Sequence, residues 1–232
     1  AIHAWASTIV DYSPAAGVSP EFANPSRALG PVTADHLDIV SLGELSASQI
    51  SGGTAPGLLT VSFDVLIRDG AGPDFVVFEN GFVQAGTGKL LAEFAYVEVS
   101  SDGVNFARFT SDSRTPAAVG PFGVVAVEGV YNLAGKHVNN AESDGVCLGT
   151  PFDLATLTAD PLVSAGVVKL NQIAYVRLVD IPGNGTFLDG QGDPIYDAWP
   201  TIGSGGFDLE AIGVLNETAI SAAAPTTWNL YP

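Results

Sequence analysis

The chain of 232 residues carries 25 acidic against 8 basic side chains, a formal net charge of −17, and is 47% hydrophobic with only 14% charged residues. That composition excludes a disordered chain. The missing Lys/Arg stripe excludes nucleic acid and anionic lipid as partners, while the acidic excess leaves room for Ca²⁺.

One cysteine, Cys147, rules out an intrachain disulfide, and no apolar run approaches the roughly 18 residues that would span a membrane. Met is absent even at position 1. The start Ala-Ile-His is therefore read as a mature form from which a secretory signal peptide was removed.

Trp5 to Tyr12 is the first predicted strand, followed by a Pro/Gly/Asn-rich loop to Pro31. Leu37–Leu42 and Leu58–Phe63 alternate apolar and polar residues and read as strands, with one helical turn expected in 44–50. The turn cluster 67–73 leads into Asp74-Phe-Val-Val-Phe-Glu-Asn-Gly81, a strand with carboxylates at both ends. Phe94–Ser100 and Val104–Phe109 flank Asp102-Gly103, the strong short-range hairpin signal. From Thr110 to Pro151 the pattern decays, with Val124–Val127 the one strand-like piece; a connection this long suggests a functional loop bearing Tyr131 and His137. Asp153 caps a short helix over Phe152–Thr158. Ile173–Asp180 is another strand, and the loop 181–206 leads into Phe207-Asp-Leu-Glu-Ala-Ile-Gly-Val214. The sum is an all-β chain: a single jelly-roll β-sandwich with long loops and little helix over residues 1–215, and a C-terminal extended tail over 216–232.

A carboxylate at a strand end is costly to bury unless a cation or a donor neutralises it. Glu79 and Asp208 occupy such positions, and Asp180, Asn184, Asp189, Asp193 and Asp197 crowd one Gly-rich loop. Calcium takes six to eight oxygen ligands from such residues, so these seven are the candidate metal ligands; EF-hand spacing is missing. The competing reading makes Asp and Asn turn residues that cap their own backbone. Tyr131, His137, Tyr196 and Trp199, in or beside long loops, are the candidate ligand-binding residues.

Two sets of motifs carry resemblances. The hairpin Ala95–Phe109, the strand Ala174–Asp180 and the segment Asn24–Gly30 resemble discoidin-like, galactose-binding-like jelly rolls. Asp74–Phe82, Tyr131–His137, Gly149–Leu154, Ile195–Asp197 and Gly203–Val214 resemble a group of bacterial exported proteins that often carry a C-terminal PEP-type sorting tail. The first resemblance implies the jelly roll and sugar binding; the second implies export.

Three functions follow as expectations. The first is a secreted or cell-surface binding or structural protein, calcium-stabilised and non-catalytic, with a glycan or cell-surface partner. The second is an extracellular polysaccharide-active enzyme using paired carboxylates, Glu79 or Glu210 with Asp208, among the candidates Glu79, Glu93, Glu98 and Glu210. The third is a subunit of a self-assembling extracellular structure, in which Thr218–Pro232 adds a strand to a neighbour.

Overall fold

The computed structural model describes residues 1–139 and 145–220. The fold is an all-β, jelly-roll-like sandwich, and every strand pairing in it is antiparallel. The strands, in chain order, are β1 (Ala4–Ser13), β2 (Val40–Ser41), β3 (Leu58–Ile67), β4 (Phe75–Glu79), β5 (Phe82–Val83), β6 (Leu90–Leu91), β7 (Ala95–Ser100) and β8 (Ala107–Arg108). They continue with β9 (Leu133–Ala134), β10 (Thr150–Phe152), β11 (Ile173–Asp180), β12 (Asn184–Leu188), β13 (Pro194–Tyr196), β14 (Asp208–Val214) and β15 (Glu217–Ala219).

One layer is β10-β4-β14, with β2 and the start of β1 on the far edge of β14; the other is β1-β3-β11-β7, edged by β8 and β9. β1 makes the corner: Ala4 and Trp5 pair with β14, then the register breaks between Ala6 and Thr8 and the strand runs on along β3. A strand that switches sheets at a bulge closes two layers around one core. Val61, Val97, Val99, Leu178, Ile212 and their neighbours fill that core. At its centre Phe75 stacks on Phe152 with centroids 5.3 Å apart, and Phe109 meets both edge-on.

A second apolar cluster, including Phe94, Val130, Leu133, Ile181 and Ile195, lies under the long connection after Thr110. Much of that connection is therefore structural. Residues 140–144 of it, and 221–232 of the tail, lie outside the described residues. The predicted tail begins differently from expectation: Glu217–Ala219 adds β15 to β3 of the same chain, so the sandwich runs past residue 215.

Local signals hold in detail. Ser46 caps the turn Ala47–Ser51 with a reciprocal Gln49 bond, and Asp153 accepts from Ala155 N over a 3₁₀ turn, Leu154–Leu157. The β7–β8 hairpin forms, but its second strand is only Ala107–Arg108, because the Asp102 carboxylate holds the N–H groups of Val104 and Asn105 in a wider turn. The loop 181–206 differs most from expectation, since it contains the hairpin β12–β13.

Candidate metal and ligand site at the acidic end

Antiparallel order brings the end of β4, the end of β11, the start of β14 and the segment entering β7 to one end of the sandwich. Glu79, Asp180, Asp208 and Glu93 sit at these four places, joined by Glu44 after β2, Asp197 after β13 and Glu210 within β14. Glu210 is the extra residue of a bulge, between the pairs Leu209–Glu79 and Ala211–Phe78.

Strand alternation alone would turn several of these groups to solvent. Loops cover them instead. Asn139 Nδ2 donates to Glu210 Oε2 (2.8 Å) and to Thr33 O (2.9 Å), and Asn80 Nδ2 donates to His36 O (2.9 Å), which lays the 31–38 segment over β14. On the other side the 201–206 loop is drawn in by Gly206 N donating to Glu93 Oε1 (3.2 Å) and by Thr201 Oγ1 donating to the same oxygen (2.6 Å). Gly206 has a φ of 76°, and a Cβ there would meet Gly43 O at 2.6 Å and Asp180 Oδ1 at 2.8 Å. Only glycine fits that crossing.

The resulting burial is severe: Asp180 is 0%, Glu79 1%, Asp208 2% and Glu210 4% exposed. Some oxygens are satisfied. Asp197 Oδ2 accepts from Phe94 N (2.7 Å), Asp180 Oδ1 from Phe207 N (2.8 Å), and Asp208 lies beside the Ser41 and Ser204 hydroxyls. Others are not: Glu44 Oε1, Glu79 Oε2, Asp180 Oδ2, Asp208 Oδ1 and Glu210 Oε1 have no hydrogen-bond partner. Among the described residues no Lys, Arg or His pairs with any of the seven; the ion pairs lie elsewhere, such as Arg108 and Arg177 on Glu98.

Loss of water therefore raises these carboxyls, and neighbouring like charge raises most of them further. Glu79, Glu93, Asp180, Asp197 and Asp208 are pushed well above the ordinary range. Glu44 and Glu210 rise to about 7.

Two clefts open beside this cluster. The smaller, about 250 Å³, has Glu44, Gln49 and Thr201 in its wall. The larger, about 510 Å³, has Glu93, Thr201 and Ser204 with Phe82, Phe122 and Ile202. Phe122 is 85% and Ile202 91% exposed, so this rim presents apolar groups to water.

The sequence-predicted ligands divide. Glu79, Asp180, Asp197 and Asp208 meet at the acidic end, whereas Asn184, Asp189 and Asp193 stay in the β12–β13 hairpin. There Asn184 Oδ1 accepts from Thr186 N, and Asp189 accepts from the N–H groups of Ser113 (2.7 Å), Gln191 (2.8 Å) and Asp193 (2.9 Å). Burial works to raise Asp189, but those N–H groups outweigh it and hold the carboxylate below its ordinary value. Asp189 thus acts as a turn residue.

Tyr131 lies half exposed under Lys136 Nζ, 4.3 Å from its ring centroid, and His137 borders a separate apolar cleft with Val83 and Leu148. Trp199 Nε1 donates to Leu45 O and Tyr196 N to Thr115 Oγ1. None of the four aromatic and imidazole candidates lines either cleft at the acidic end.

Glu44 went unremarked as a site residue in the sequence, and Glu93 and Glu210 entered only as paired acids. A usable signal existed: Glu93 is the lone charge in Leu90-Leu-Ala-Glu-Phe-Ala95, and Glu44 lies between Leu42-Gly and Leu45.

A further trio stands at the opposite end. Asp69, Asp74 and Asp153 bring oxygens within 4.8 Å of one another, a grouping able to hold a metal ion. Asp74 is already engaged, with Oδ1 accepting from Gly70 N and Asn216 Nδ2 and Oδ2 from Leu154 N.

No protein-family model matches the chain, and no curated protein matches it.

Proposed function

We propose that this is an exported, cell-surface or extracellular protein, stabilised by Ca²⁺, that binds a glycan or other surface ligand without transforming it. The observation carrying the reading is the 510 Å³ cleft, where Phe82 from β5 and Phe122 and Ile202 from two separate loops remain open to solvent around the polar groups of Glu93, Thr201 and Ser204. Apolar groups exposed together around a few polar ones mark ligand sites, because a folded chain otherwise covers such surface. Calcium enters as the ion able to neutralise the acidic end beneath the cleft.

Retention of the purified protein on a panel of insoluble polysaccharides tests the reading. At least one should retain the native chain and release the Phe82→Ser/Phe122→Ser double variant. Equal behaviour of the two proteins on every member of the panel contradicts a glycan-binding cleft. The enzymatic alternative has one observation in its favour, the carboxyl of Glu93 raised by burial at the cleft floor. New reducing ends released from such a polysaccharide, and not released by Glu93→Gln, would put it first.

A further inference from the structure

We propose that the 510 Å³ cleft takes a glycan bearing free amino groups, with Glu93 as the acceptor for a protonated amine. The proposal rests on the reading of this cleft as a glycan site and names the class of glycan.

The polar groups of the cleft form an acceptor set. Apart from Glu93, Thr201 and Ser204 its lining is apolar. Glu93 lies just before β7 and is only 8% exposed. Its Oε1 accepts from Thr201 Oγ1 (2.6 Å) and Gly206 N (3.2 Å), which ties that oxygen to the protein. Oε2 has no hydrogen-bond partner among the described residues, and unlike Glu79 Oε2 and Asp208 Oδ1 it is not shut off from solvent. In a residue that lines the cleft, this is the oxygen left for a ligand. The Thr201 and Ser204 hydroxyls add lone pairs. An ammonium group, with three donors and no acceptor, complements one carboxylate oxygen and two hydroxyls.

A neutral sugar hydroxyl answers such hydrogen bonds but not the charge. The titratable groups around Glu93 are all acidic: Asp208 at the start of β14, Glu79 at the end of β4, Asp197 after β13, and Glu44, whose Oε2 lies 3.2 Å from the Thr201 hydroxyl. No Lys, Arg or His lines the cleft, and among the described residues none pairs with Glu93. Burial and these like charges raise the Glu93 carboxyl well above its ordinary range, so it keeps its proton until a cation arrives. Binding of an ammonium therefore releases that proton. Apolar walls strengthen the new ion pair by excluding water, and the rings of Phe82 and Phe122 attract cations as well as the apolar faces of sugars. A Ca²⁺ ion asks for six to eight oxygens, more than this lining offers.

The test is calorimetric titration of the intact protein, in EDTA at pH 6, with the linear tetramer of glucosamine and with its N-acetylated counterpart, which keeps the sugar rings and loses the charge. The free-amine tetramer should bind about tenfold more tightly, the worth of one hydrogen bond between charged partners. Glu93→Gln retains an acceptor for Thr201 and Gly206 and should abolish that preference. Phe82→Ser/Phe122→Ser should weaken both tetramers. Ile202→Lys, at a position 91% exposed, sets an ammonium at the rim and should weaken the free-amine tetramer more than the other. That variant carries the test if Glu93→Gln fails to fold. Asp64→Asn removes an exposed charge toward the other end of β3 and should bind as the native chain does. Proton release, read from titrations in two buffers of different ionisation enthalpy, should accompany the free-amine tetramer alone and vanish in Glu93→Gln.

Equal affinity for the two tetramers, lost from both in the phenylalanine double variant, overturns the inference and leaves the glycan cleft standing. A preference that survives Glu93→Gln, or that falls as far in Asp64→Asn, belongs to the acidic surface at large and overturns the inference as well. Binding of neither tetramer also overturns it. The proposed function then falls with it only if the polysaccharide panel shows no retention that depends on Phe82 and Phe122.

Discussion

Glu44→Gln should stabilise the protein in EDTA at pH 8 and do little at pH 5. The Glu44 carboxyl rises from 4.5 to about 7, first through burial, against backbone hydrogen bonds from Thr201 and Leu45 that favour its ionised form. Moving a carboxyl that far makes its ionisation cost about 3 kcal/mol in the folded state relative to the unfolded chain. Glu44 borders the smaller cleft, and water there screens part of this cost. The new amide N–H₂ at a position where Oε1 has no partner takes back some more.

A net gain of about 1–2 kcal/mol remains, or about 2–8 °C in Tm for a chain of this size. The sign follows from the direction of the shift. A folded-state value above the unfolded one means stability that is fully present below 4.5 and lost as pH rises through about 7. The native chain should therefore fall behind the variant progressively between pH 5 and pH 8. Urea unfolding of both proteins at these two pH values, in EDTA, measures the difference. A variant less stable than the native chain at pH 8, or a gain of equal size at pH 5, refutes the account of a charge buried without a partner.

Phe152→Ala removes the ring stacked on Phe75 and met edge-on by Phe109, and should cost about 3–5 kcal/mol in urea unfolding; a loss under about 1 kcal/mol would mean that the aromatic centre does not organise the core. Asp189→Ala leaves the N–H groups of Ser113, Gln191 and Asp193 unanswered and should cost about 1–3 kcal/mol by the same measurement. That cost should be the same in CaCl₂ and in EDTA, and one that appears only in CaCl₂ would return the metal to the hairpin. Asp180→Asn, which keeps the acceptor for Phe207 N while removing a charge with no second partner, should raise the melting temperature in EDTA at pH 8; a fall of several degrees would show that the charge is compensated by a group on this chain.

The amino-acid sequence determined what depends on near neighbours. Alternation placed the strands at Ile173–Asp180 and along Asp74–Gly81 and Phe207–Val214, the Asp102-Gly103 pair turned the chain, and Ser46 and Asp153 capped their turns. It also placed carboxylates at strand ends, where Glu79, Asp180 and Asp208 indeed stand. In the loop 181–206, where Asp and Gly density suggests a metal loop, backbone N–H groups hold Asn184 and Asp189: those of Thr186, Gln191 and Asp193 nearby in the chain, and that of Ser113 from a distant segment. The near bonds follow from turn chemistry, whereas the one from Ser113 is supplied only by the fold.

Tertiary structure alone decided which carboxylates lose water. Glu44, Glu93 and Glu210 share no local pattern, and they meet because antiparallel order returns four chain segments to one end of the sandwich. The face that β14 presents to solvent in its alternation is covered by the 31–38 and 201–206 loops, held through Asn139, Thr201 and Gly206. Burial, and with it the raised carboxyls and unpartnered oxygens, is a property of that covering. Desolvation depends on what lies above a side chain, and no periodicity within a strand records it.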